Sequence, residues 1–320
     1  MKLKEIDLCP LCESIDTVEI EKIRYRDIWN GLEKEWRVSF SKKVIEGNSP
    51  SDLTTLVNCR ICGLQYFVPI VSGNSQFYYE LSQSPIYYSG QKWEFPLVTK
   101  SIKPEDKLLD IGCGDGYFLD SIKNRVSQAM GIDTNAEAIK RAKGRGLDVR
   151  LINIEGFSTE NKGKFSVVCC FHVIEHLDRV RPFLNAAISC LEPRGKLVLS
   201  VPNRQNISKS LFESLDCPPH HVSRWEANQL RMIADVMGID LDKVVLEVAG
   251  RNACHKWLRE KIASEVLNGR YEKLNMWVGK GTSFVLFLSP LYRLYRKVGL
   301  LEKWGLYQLS MLAFYKKRFP

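Results

Sequence analysis

Between Leu108 and Leu119 the chain reads LLDIGCGDGYFL, and Asp133 follows in the segment GIDTNAEAI. An apolar strand ending at Asp110 runs into a turn of three glycines, Gly112, Gly114 and Gly116, and then into a helix from about Tyr117. Glycine tolerates positive φ and lets a ligand come close to the backbone, while the free N–H groups of a new helix favour a negative group. An acid at the end of the next strand, here Asp133, would accept hydrogen bonds from two ribose hydroxyls. The pair therefore points to a nucleoside site at the carboxyl edge of an α/β sheet.

Spacing separates this site from a dinucleotide fold, whose third glycine comes one residue later in G-x-G-x-x-G. The pattern D-x-G-x-G-x-G from Asp110 resembles motif I of the class I S-adenosylmethionine-dependent methyltransferases, and Asp133 then matches the family's ribose acid. The alternation around it predicts strands over 107–111, 128–132, 148–152, 165–171, 196–201 and 244–248, with helices over 136–145, 181–191 and 227–237 between them. This is a doubly wound, Rossmann-like seven-stranded sheet with helices on both faces. The resemblance implies a last strand inserted antiparallel, for which Thr282–Ser289 is the expected segment. It also implies that Asn153 and Glu155, just past the third strand, contact the adenine, and His172, just past the fourth, is counted with the donor-binding residues.

Before this domain lie Cys9-Pro-Leu-Cys12 and Cys59-Arg-Ile-Cys62. Two C-x-x-C pairs present four thiolates, the tetrahedral set that zinc takes in closed structural sites, so a zinc ribbon is expected over residues 1–75. Residues 13–58 between the pairs need strands or helices of their own. Ten cysteines without a secretory signal argue for a reducing, cytoplasmic compartment rather than a disulfide framework. A tyrosine-rich linker over 76–100, an insertion over 251–281 and amphipathic helices over 291–320 complete the domain plan around a methyltransferase domain at 101–290. In the tail, basic residues beside Trp304, Tyr307, Phe314 and Tyr315 suit a peripheral membrane contact. The net charge of +9 is moderate and forms no nucleic-acid stripe, which disfavours a nucleic-acid partner.

Two histidine clusters could carry chemistry: His172, Glu175 and His176 after the fourth strand, and His220 and His221 in PPHHVSRW. The sulfonium donor already activates its methyl group, so alignment and a base for the acceptor proton suffice. His220 or His221, with a pKa near neutrality, is expected to be that base, assisted by His176 and Glu175, with Tyr79 or Tyr88 next in line. His172, Glu175 and His176 share a helical face, and with His220 or His221 they make a set able to hold Mg²⁺ or Mn²⁺. That set is similar to the E-x-x-E-H pattern of small-RNA 2′-O-methyltransferases and the E-x-x-x-E-H pattern of ubiquinone O-methyltransferases, with His172 in place of the first glutamate.

Taken together, the cysteine pairs, the tyrosines, HVIEHL and PPHHVSRW resemble bacterial methyltransferases with an N-terminal zinc-binding domain, a group that includes sugar C-methyltransferases and enzymes of polysaccharide biosynthesis. The resemblance implies methyl transfer to a hydroxyl or carbon of a sugar, nucleotide-linked or in a glycan, as a small-molecule or glycan substrate. RNA 2′-O-methylation and a non-enzymatic zinc-ribbon interaction protein are the competing readings.

Overall fold

The computed structural model describes residues 8–84, 87, 92–205, 214–248 and 307–318. The 251–281 insertion, His255, the expected last strand at Thr282–Ser289, Trp304 and Tyr88 lie outside them. By contact pattern the chain divides into two units, one of residues 1–202, 213–245 and 311–320, the other of residues 203–212 and 246–310. The first unit carries the cysteine pairs, the glycine turn and both histidine clusters.

Its N-terminal part runs β1 (Thr17–Arg24), α1 (Tyr25–Trp36), α2 (Lys42–Gly47), β2 (Leu53–Cys59), β3 (Gln65–Val68) and α3 (Ser75–Leu81). β1 and β2 pair antiparallel, as do β2 and β3, and β1, α1, α2 and all of β2 but Cys59 lie in the stretch 13–58 between the cysteine pairs. α1 turns Ile28, Trp29 and Leu32 inward, where Trp29, Phe40 and Phe77 form an aromatic core. Ser41 and Asn74 cap α2 and α3 with side-chain oxygens, as short polar residues do at helix starts.

Next come α4 (Glu94–Thr99), β4 (Lys107–Ile111), α5 (Tyr117–Ile122), β5 (Gln128–Asp133), α6 (Ala136–Gly144), β6 (Val149–Leu151), α7 (Ile154–Glu160) and β7 (Phe165–Phe171). α8 (Val180–Cys190), β8 (Leu191–Pro202), β9 (Ser223–Arg224), α9 (Ala227–Met237), β10 (Asp240–Val248) and β11 (Tyr307–Lys316) complete the order. The large sheet has the order β10-β11-β8-β7-β4-β5-β6, and the pairs from β8 to β6 are parallel. β4 and β7 are neighbours, so the turn after β4 and the segment after β7 meet at one carboxyl edge.

The strand inserted between β10 and β8 is Tyr307–Lys316, which corrects the reading of the tail as helical. Lys317 donates its N–H to Gly195 O and its Nζ to Leu191 O, so β11 ends where β8 begins and runs against it. Met311 to Tyr315 are all buried. A central strand covered on both faces shows no apolar alternation, and its even hydrophobic run reads as helix. Burial also withdraws Phe314 and Tyr315 from any membrane surface. Among the described residues no helix is long and apolar enough to cross a membrane.

β9 does not join the large sheet. It pairs with β3, Gln65 opposite Arg224 and Tyr66 opposite Ser223, so the segment carrying His220 and His221 completes the N-terminal sheet.

Candidate functional site

The turn after β4 is built as its glycines require. Gly112, Gly114 and Gly116 have φ of 72°, 53° and 76°. They do different work. A Cβ on Gly112 would stand 2.4 Å from Val173, and one on Gly116 would stand 2.3 Å from Leu147, so both are needed for packing. A Cβ on Gly114 would meet nothing within 4 Å, which makes it the glycine that opens the cradle. The Gly112 contact also places Val173, and with it the histidine segment after β7, against the turn.

Asp133, at the end of β5, accepts the N–H of Gly114 through Oδ2 and that of Asn135 through Oδ1, each at 2.8 Å. Each oxygen keeps a second lone pair for a hydroxyl. Burial raises this carboxyl above its usual range, against the backbone hydrogen bonds. Asp110 is buried with Oδ1 unpartnered, and burial pushes it up to about 8 against the charge of Lys92. A buried acid lacking a donor, an open glycine backbone and an acid with free lone pairs together fit the donor's ammonium, carboxylate and ribose ends. Asn153 caps α7 through its Oδ1 to Gly156 N, and Glu155 lies exposed in the first turn.

At the other cluster, His172 sits in the left-handed region at φ 56°, a conformation that a non-glycine residue holds only when its surroundings impose it. Its Nε2 bonds Oε1 of Glu94 at 2.8 Å, and Ser200 Oγ donates to the same oxygen at 3.1 Å. Its Nδ1 lies 3.4 Å from Glu175 Oε1, off the direction of a hydrogen bond, so both oxygens of the buried Glu175 have no hydrogen-bond partner. Burial and Lys92 work against a charge on His172, but Glu175 and Glu94 raise it. Burial alone would raise Glu175 too; the proximity and charge of His172 and the charge of His176 bring it to about 2.

His172 is therefore occupied between two carboxylates, and the ring nitrogens that converge belong to His176, His220 and His221, all within 4.8 Å of one another. This corrects the expected cation set of His172, Glu175 and His176 with His220 or His221, in that His172 is turned to Glu94 while His176 and the paired histidines do converge. His220 bonds Leu215 O through Nδ1 at 2.9 Å and Tyr87 Oη through Nε2 at 3.0 Å, so both its nitrogens are engaged. His176 Nδ1 lies 2.6 Å from His220 O and 3.2 Å from Tyr78 Oη, and His221 Nδ1 lies 3.3 Å from Asp216 Oδ1. A bond to an acceptor fixes Nδ1 as the protonated nitrogen, which leaves Nε2 of His176 and of His221 as lone-pair sites. His221 is not near neutrality: burial and the charge of His176 push it down to about 3, with Glu175 opposing. Burial lowers His176 and His220 as well.

Sequence reasoning missed Glu94, Asp216, Tyr78 and Tyr87. α3 turns Tyr78 toward His176 and leaves Tyr79 54% exposed, a choice of helix face that the tyrosine run does not encode. Asp216, five residues before His221, is the one with a sequence signal, an acid within reach of a histidine.

The four thiols converge as their spacing requires. Cys9 and Cys62 sulfurs are 3.5 Å apart, as are those of Cys12 and Cys59. Around a tetrahedral zinc with bonds of about 2.3 Å the sulfurs lie roughly 3.8 Å apart, so the cluster fits the ion after a slight expansion. The hydrogen bond with Cys62 lowers the Cys9 thiol against the effect of burial.

Residues 94–244 match the family model described as a methyltransferase domain. A ubiquinone biosynthesis O-methyltransferase of Idiomarina loihiensis is 32% identical over 125 residues, 37% of this chain and 50% of its own length. One from Xanthomonas euvesicatoria pv. vesicatoria is 34% identical over 104 residues, 31% of this chain and 44% of its own. The chain thus spans about half the length of the curated relatives it matches. A solved methyltransferase from Archaeoglobus fulgidus aligns with 75% of this chain and 100% of its own at 20% identity and a TM-score of 0.47. The relatives' names correct the expectation of a sugar or glycan acceptor and of polysaccharide biosynthesis, since they are O-methyltransferases of ubiquinone biosynthesis. The methyltransferase match speaks for the enzymatic reading over the non-enzymatic one.

Proposed function

We propose that this chain, whose residues 94–244 match the model of a methyltransferase domain, is a class I S-adenosylmethionine-dependent enzyme that methylates a phenolic hydroxyl of a small quinol-like or catechol-like molecule. The observation that carries the proposal is the contact of Gly112 with Val173, which sets the donor turn against the segment bearing His172, Glu175 and His176. The relatives' names support a hydroxyl in a quinone-related acceptor.

When bound, the donor supplies a methyl group already activated by its sulfonium. The chain's residues then bind it at Asp110, Gly114 and Asp133 and receive the acceptor proton on Nε2 of His221 or His176. An imidazole held at about 3 is a weak base. It suits a phenol, whose pKa is about 10, better than an aliphatic alcohol with a far higher one. The ionised Glu175 beside the imidazoles stabilises the proton once it arrives. The same proposal includes a structural zinc, with Cys9, Cys12, Cys59 and Cys62 as its four ligands.

A second reading rests on Glu175, whose buried carboxylate has neither oxygen hydrogen-bonded. With the free Nε2 atoms of His176 and His221 it would hold a divalent ion, to which His220 could be added only by giving up its bond to Tyr87, and so nitrogen-rich a set suits a transition metal better than Mg²⁺. Such an ion would lower the pKa of an acceptor hydroxyl.

Calorimetric titration with S-adenosylmethionine, then transfer of its labelled methyl group to a panel of catechols and hydroquinones with and without chelator, tests the proposal. Binding followed by chelator-insensitive transfer to phenols is expected. No donor binding, or transfer to aliphatic hydroxyls alone, overturns it, and loss of transfer to chelator at constant zinc selects the second reading.

A further inference from the structure

We infer that the metal-loaded cysteine cluster positions the histidine site, because each of its two knuckles holds one of the two histidine-bearing segments. The inference rests on the proposed zinc and on the proposed role of His176 and His221.

The knuckles are built alike. Cys9 O accepts the N–H of Glu13, and Cys59 O accepts that of Gly63, each at 2.9 Å. Glu13 and Gly63, each just past the second cysteine of its pair, have φ of 61° and 72°. Their outward contacts differ. Pro10 O accepts the N–H of Arg181 at 3.0 Å, and Glu13 pairs with the Arg181 guanidinium at 2.7 Å. Arg181 is the second residue of α8, five residues after His176.

The second knuckle holds the other segment. Cys62 O accepts Nε2 of the buried Gln229 at 3.1 Å, and Gln229 Oε1 accepts the N–H of Glu226 at the start of α9. A Cβ on Gly63 would stand 2.9 Å from that Nε2, so the fit is close. The chain leaving this knuckle is β3, whose Phe67 N–H donates to the carbonyl of Val222, the residue after His221, at 3.0 Å.

The two held segments meet at the site itself. Val222 N–H donates to Glu175 O at 2.9 Å, and His176 Nδ1 lies 2.6 Å from His220 O. Sulfurs paired across the knuckles, Cys9 with Cys62 and Cys12 with Cys59, are what one ion would clamp. The clamp fixes the distance between Arg181 and Gln229 from one side, and the histidine contacts record that distance on the other. Without the ion, four thiols that repel on ionisation replace four bonds, and the two segments lose their common anchor.

The test reads the imidazoles directly. The chain has five histidines, so the ring signals of histidine-labelled full-length protein can be followed by NMR without substrate. Metal content and the binding of S-adenosylhomocysteine by calorimetry are measured in parallel. Removal of the ion, and separately Gln229→Ala, should shift the His176 and His221 signals and lower kcat about tenfold, with donor-product affinity held within twofold. Gln229→Ala should keep its metal, and it decides the matter if metal removal unfolds the chain. Unmoved imidazole signals in folded Gln229→Ala, or equal loss of donor-product binding, overturn the inference, as does purified protein without metal. Wild-type protein that binds no donor product sinks the functional reading alone, because the imidazole shifts need no ligand.

Discussion

The backbone N–H of Gly114 donates to Oδ2 of Asp133 over 2.8 Å, so the glycine turn and the ribose acid are one piece of structure rather than two. Only Gly114 of the three turn glycines opens on empty space, and that difference separates binding from folding.

Gly114→Ala should therefore weaken donor binding at least tenfold while costing the fold only about 1 kcal/mol for a side chain at positive φ. Gly116→Ala should do the reverse through its collision with Leu147 and destabilise by roughly 1–3 kcal/mol. Calorimetry and urea denaturation of both variants measure the contrast; equal effects on both quantities would contradict it.

Asp110 makes the ligand-free protein sensitive to alkali. Folded, its carboxyl keeps its proton up to about pH 8, whereas in the unfolded chain it ionises near 3.8. The folded state binds more protons across that window, so stability from this group is complete below about pH 4 and is lost as pH rises through 8. The difference between Asp110→Asn and wild type in urea midpoint should grow in favour of the variant from pH 5 to pH 9. A constant difference would show that Asp110 is ionised in the fold.

His221→Ala is expected to reduce kcat about 100-fold or more, the usual scale for a lost general base, with donor affinity unchanged. His220 has both nitrogens tied to Leu215 and Tyr87, so His220→Gln should act through position and cost less. Single-turnover methyl transfer distinguishes them. Retention of full turnover by His221→Ala moves the role to His176.

One zinc per chain is expected by elemental analysis, lost in Cys59→Ser and kept in Cys113→Ser. Cys113 lies in the donor turn and hydrogen-bonds the carbonyl of Gly114 rather than facing the other thiols. Zinc at wild-type level in Cys59→Ser would displace the cluster as its site.

The acids and glycines of the donor turn were legible because their chemistry is local. A turn with positive φ at alternate positions needs glycine, and an acid one strand later falls beside it in a parallel sheet. The cysteine pairs were legible for the same reason, each knuckle being a four-residue unit. His172 shows the opposite case: its spacing from Glu175 and His176 suggested a shared helical face, yet the segment is a single 3-10 turn and His172 turns away to Glu94. Glu94 comes from a helix far back in the chain, and no local pattern announces it.

The sequence by itself thus determined the sheet's early strands, the donor turn and the four thiols, all set by spacing within a few residues. Tertiary structure alone decided that β9 joins the N-terminal sheet, that Tyr307–Lys316 is the inserted strand and that Tyr78 rather than Tyr79 reaches a histidine. Each of those outcomes depends on burial against a distant partner. Burial also decided the chemistry of the imidazoles, since closing them off from water together holds His221 far below the pKa of a free histidine.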